Sequence, residues 1–114
     1  MNTAVINITE TMLNKSIIDA NKSVCALAKD FSFDYNEAEC GQRQPLEAAY
    51  ADGTEAKVTF YRAKTRGDKR ISITKLKKFA KAGDFVTLIK VKNRVEILVN
   101  VRIVDDIYRT FTTP

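Results

Sequence analysis

The sequence contains no histidine. Neither a Ser–His nor a Cys–His nucleophile can therefore be assembled, and imidazole-ligated metal is excluded with them. Cysteine is scarce: Cys25 and Cys40 are the whole complement. Two thiolates cannot complete a zinc site. A disulfide fits their spacing, but two reduced thiols suit a cytosolic protein better. No cofactor or metal is expected. No apolar run approaches the roughly eighteen residues of a membrane-spanning helix. Met1-Asn2-Thr3-Ala4 lacks the basic start and apolar core of a secretory signal. The expected setting is cytoplasmic, away from membrane.

What remains is ordinary globular material. The 114 residues are 45% hydrophobic and 29% charged, without repeats or low-complexity tracts. This length suits a single domain, residues 1–114, with a modest core that needs no staples.

Charge is segregated along the chain. Residues 1–60 hold five basic and nine acidic side chains, and residues 61–94 hold twelve basic and two acidic. Residues 95–114 hold two and three, which completes the net +5. Segregation of this kind predicts an electropositive face. The plainer explanation, that Lys75, Lys77, Lys78 and Lys81 are the wet side of a short helix, covers the lysines but not the arginines.

The hydrophobic pattern predicts α+β. Leu13, Ile17, Ala20, Val24, Leu27 or Ala28, and Phe31 follow helical spacing, so one helix is expected over residues 10–30, capped by Thr9 or Thr11. It reads as scaffold. Residues 31–44 form a connection. Leu46, Ala48 and Tyr50, then Ala56, Val58 and Phe60, alternate around Asp52-Gly53, a hairpin signature. Ile71–Ile73 is a brief strand. Thr74 is placed to cap a two-turn helix that Gly83 stops. A second hairpin follows, residues 85–91 and 95–103, turning at Lys92-Asn93. Several antiparallel strands without a βαβ rhythm predict a small, partly closed barrel over residues 43–103, with helices at its openings and a tail from 104 to 114.

The sharpest motif is KTRGDKR, residues 64–70. Gly67 frees the backbone at its tip. Arg66 and Arg70 present planar forks suited to phosphate or to guanine O6 and N7. Lys64, Lys69 and Arg62 would hold phosphates. Asp68 repels phosphate, and fits either by accepting from cytosine N4 or by orienting an arginine. The competing explanation is a solvated loop with one internal ion pair.

EAKVTFYRAKTRGDKRI, residues 55–71, resembles a segment of the EcoRII-type amino-terminal effector domain. That family shares a DNA-binding pseudobarrel fold with the plant B-three transcription factors. Phe60-Tyr61 matches its aromatic strand end, Lys64 to Arg70 its basic arm with one acid, and Ile71 the return into the barrel. GDFVTLIK, residues 83–90, resembles the following Gly-Asp-strand element. The resemblance implies recognition of a short duplex site in the major groove by two arms. GQRQ (Gly41–Gln44) is the candidate second arm, with Arg43 and Gln44 as readers. A nuclease domain of a restriction enzyme would be separate.

The expected function is thus sequence-selective binding of double-stranded DNA through the loop 62–70, without catalysis, with Lys75 and Lys78 at the rim. The alternative is a protein-binding module of a phage or mobile element that docks a host complex through the same basic face. A third reading takes Glu55 and Lys57 as half of a metal-dependent nuclease site, with Asp34 or Asp52 as further carboxylate. Hairpin-turn chemistry explains Asp52 and Glu55 more simply. A helix-turn-helix at residues 73–82 lacks its neighbouring helix. Tyr61 alone is thin support for an RNA-binding sheet.

Overall fold

The structure is a computed structural model and describes residues 2–102. One seven-stranded mixed sheet carries it: β1 (Thr3–Asn7), β2 (Ile18–Asp19), β3 (Arg43–Tyr50), β4 (Glu55–Arg62), β5 (Lys69–Ile73), β6 (Phe85–Val91) and β7 (Arg94–Val99). Three short helices accompany it: α1 (Glu10–Lys15), α2 (Lys22–Asp30) and α3 (Leu76–Phe79). The strand order is β1-β6-β7-β3-β4-β5-β2, and the sheet curls into a half-barrel. The α+β, barrel-like expectation agrees with this. The all-antiparallel expectation does not: β3 and β7 run parallel over Ala48–Tyr50 and Val95–Ile97.

The inner face is built by alternation. Ala4, Leu88, Ile97 and Tyr50 form one cross-strand row, and Phe60, Ile71 and Ile18 another. All seven are buried, as are Val58, Val86 and Val95. Val24, Leu27 and Ala28 of α2 close the core over this face. Phe33 and Tyr35, from the connection after α2, pack edge to face 4.9 Å apart and against Phe60.

The single helix expected over residues 10–30 is two helices with a strand between. Thr9 does cap α1, accepting from Met12 N. Ser16 then turns left-handed at φ 54°, and Ile18 pairs with Ile71. Two successive β-branched residues prefer the strand, and burying Ile18 against β5 outweighs helix continuation. Asn21 restarts the chain as the N-cap of α2. Thr74 is not a cap. Its Oγ1 accepts from Lys57 N, while Lys75 holds the cap position at φ 63° and α3 is a single turn.

β1 was missed, although Ala4, Ile6 and Ile8 alternate inward. The second hairpin keeps Phe85–Val91 as expected, while β7 ends at Val99. Ile103 and the tail expected over 104–114 lie outside the described residues.

The two rims of the open sheet are joined by one continuous stretch. Ile18 and Asp19 pair with β5, and Ala20 N donates to Lys69 O at 2.9 Å. Immediately afterwards Asn21 Nδ2 donates to Val5 O at 2.8 Å, and Val5 N donates to Ser23 Oγ at 3.1 Å. Side chains at the start of α2 thus satisfy the middle of β1's free edge, at Val5, where it would otherwise invite strand addition.

Candidate nucleic-acid interface

The arm is Ala63–Asp68, joining β4 to β5. Its neck is closed by two backbone bonds of 2.9 Å, Ala63 N to Asp68 O and Gly67 N to Ala63 O. Gly67 takes φ 73°, and a Cβ there would stand 2.9 Å from both Arg62 Nη2 and Cys40 Sγ. Only glycine meets both demands.

Inward parity along β4 determines what Arg62 does. Ala56, Val58 and Phe60 face the core, so Arg62 follows them inward. Its Nε donates to Gly67 O, and its Nη1 donates to Tyr35 O and Ala38 O. The guanidinium expected to hold phosphate instead ties the arm to the connection beneath it. Tyr35 braces the same region from below, its hydroxyl donating to Arg70 O at 2.6 Å. Burial above all raises the Tyr35 phenol well above its ordinary range, so it is a neutral donor.

Outward parity builds a second feature. Arg43, Tyr61, Arg70 and Asp19 stand side by side across β3, β4, β5 and β2. The Arg43 guanidinium lies 5.1 Å from the Tyr61 ring centre. Arg70 Nη2 meets Asp68 Oδ2 at 3.0 Å, and its Nε is 3.9 Å from Asp19 Oδ1. That Nε is buried and has no hydrogen-bond partner among the described residues. Asp68 therefore contacts an arginine, one of the two roles open to it.

The other candidates divide. Lys64 and Arg66 are exposed and make no hydrogen bond or ion pair among the described residues. Lys69 Nζ donates to Asn36 Oδ1 at 2.8 Å. Gln44 pairs with Phe60 and takes the parity opposite to Arg43. Lys75 and Lys78 follow the far end of β5, a strand about 15 Å long at 3.3 Å per residue. Lys75 Nζ there donates to Glu55 O at 2.6 Å.

Sequence reading missed the opposite wall. An open cleft of about 660 Å³ separates the arm's root, Asp68–Arg70, from α1 and its flanks, where Thr9, Thr11 and Lys15 stand. No local signal marks these three. They reach the arm only because β2 pairs with β5.

Of the two alternative carboxylates of the nuclease reading, Asp34 adjoins the Arg62 end of β4, a strand's length from Glu55, while Asp52 lies in the turn just before Glu55. Asp52 Oδ1 accepts from Thr54 N at 2.9 Å, and bonds to Thr54 hold its carboxyl below the usual range. Among the described residues no three His, Cys, Asp or Glu side chains gather as a metal site. Cys25 and Cys40 are both free thiols. No described helix is long and apolar enough to cross a membrane.

No family model matches the chain, and no curated protein matches it. Among solved structures, the N-terminal domain of Helicobacter pylori LlaJI.R1 is similar at TM-score 0.52 and 12% identity, covering 97% of this chain and 96% of that one. At that identity the likeness is one of fold, over nearly the full extent of both chains.

Proposed function

We propose that this chain binds double-stranded DNA sequence-selectively, with the arm Ala63–Asp68 and the facing wall of α1 gripping the duplex. The fold would be the DNA-binding pseudobarrel that the arm segment resembles. The observation that carries the reading is the arm's construction. Arg62 holds its backbone from inside, which leaves Lys64 and Arg66 projecting as cations without internal partners. A solvated loop has no need of such bracing. Preorganised cations lower the ordering cost of binding.

In this reading Arg66 and Arg70 make the strongest contacts, and Lys64, Lys69 and Lys15 hold phosphates. Arg43 reaches the duplex from its place beside Tyr61. Asp68 fixes the fork of Arg70 so that its remaining N–H groups present one geometry to a base edge. The N-terminal domain of LlaJI.R1 supports the fold on which this rests. No catalysis is assigned to the chain.

The test is fluorescence anisotropy with a random-sequence duplex at several salt concentrations. Binding should weaken steeply with salt and fall by about 100-fold in Arg66→Ala/Arg70→Ala, the equivalent of about 2.7 kcal/mol. Asp68→Ala should narrow the gap between a selected site and random duplex, because an untethered Arg70 discriminates less. A folded protein that ignores duplex at low salt would sink the proposal.

A further inference from the structure

A second concavity lies between α1 and α3, on the side of α1 away from the arm. It encloses about 370 Å³, within the range of small binding pockets. Its floor is aliphatic, from Met12, Leu13, Ile18, Ile73 and Leu76. Its rim carries Lys75, Lys77 and Lys78, all exposed. No carboxylate lines it, and none of the three lysines meets one among the described residues. The six-residue α1 buries none of its side chains completely, so Met12 and Leu13 remain half covered.

These features fit nucleic acid poorly. No aromatic ring lines the groove to stack a base. An aliphatic floor is complementary to aliphatic side chains, and an unopposed lysine rim to carboxylates. We propose that this groove docks an acidic peptide segment of a partner protein. Its Leu, Ile, Val or Met side chains enter between α1 and α3, and its flanking Asp or Glu meet Lys75, Lys77 and Lys78. The site is separate from the arm and does not rest on DNA binding. A chain with both would hold a duplex at one end of β5 and a protein at the other.

The experiment pans the full chain against a random peptide library, with Lys77→Glu/Lys78→Glu as counter-selection. Both lysines are exposed, so the variant keeps the fold. Enriched peptides should be acidic with interspersed aliphatic residues. In amide NMR spectra of the full chain they should shift Met12, Leu13, Ile73 and Leu76, and they should bind the variant about ten-fold more weakly. The proposal is overturned by no enrichment over the variant, by enriched peptides without acids, or by shifts confined to Lys64–Arg70. It is equally overturned if a random duplex shifts the groove amides, which would make the groove part of a DNA surface. Loss of duplex binding in Arg66→Ala/Arg70→Ala reports on the arm alone, so the two readings fail separately.

Discussion

Arg62 and Arg66 are four residues apart in one basic run, and their surroundings differ entirely. Arg66 stands exposed at the arm, while Arg62 hydrogen-bonds three carbonyls beneath it. Strand parity made this legible: with Ala56, Val58 and Phe60 inward, Arg62 had to point inward too. The count of positive charges in the run hid it. Two losses should therefore be separable. Arg62→Ala should cost about 1.5–3 kcal/mol, the worth of hydrogen bonds to a charged donor, and lower the melting temperature by several degrees. It should also weaken duplex binding by loosening the arm. Arg66→Ala should weaken binding with no change in melting temperature. Equal melting temperatures for the two variants would refute the bracing role. Gly67→Ala tests the same brace from the other side. It should destabilise by at least about 1–2 kcal/mol, the left-handed penalty alone, in a thermal or urea melt.

Among the elements, α1, β2 and α2 show where local pattern stops being informative. Residues 10–30 have one continuous helical periodicity, yet they fold as helix, strand and helix. What decides the matter is the pairing of Ile18 with Ile71, over fifty residues away, which no window on the sequence contains. The hairpins were legible because their turns and alternation are local. The α1 wall of the cleft was not, because Lys15 and Thr11 owe their position to that distant pairing. The parallel contact of β3 with β7 escaped for the same reason. At the other rim, Ser23 accepts from Val5 N. Ser23→Ala should expose that amide and speed its hydrogen exchange about five-fold, corresponding to about 1 kcal/mol. Exchange at Ala56 and Val58 in the middle of the sheet should not change. An unaltered Val5 rate would mean that the edge is protected by something other than this side chain.

Taken whole, the molecule turns a charge gradient along the chain into two basic places. The cations from Arg62 to Lys81 gather at either end of β5, at the arm and around α3, while Lys90, Lys92 and Arg94 belong to the β6–β7 hairpin. The interior also sets an alkaline limit. Tyr50 is buried, stacks on Phe79 at 3.8 Å and donates its hydroxyl to Thr74 O, and burial pushes its phenol up to about 12. A folded-state value above the ordinary one near 10 means that the stabilisation is complete below pH 10. It is lost as pH rises from about 10 through about 12. Tyr50→Phe should thus show a shallower fall of stability than the parent chain in urea titrations across that window, with Tyr35 accounting for part of what remains. Parallel slopes would count against ionisation of Tyr50 as a cause of alkaline unfolding.

The stretch from Asp19 to Asn21 touches both rims of the sheet, and so it acts as a ruler. Asp19 and Ala20 belong to the β5 rim and Asn21, the very next residue, to the β1 rim. A chain extends at most about 3.6 Å per residue, so the gap between the rims cannot exceed what these residues reach. The bore of the half-barrel is therefore metered by covalent length as well as by packing. Residues added after Ala20 would let it gape, and Ala20 removed would draw the β1 and β5 rims toward each other.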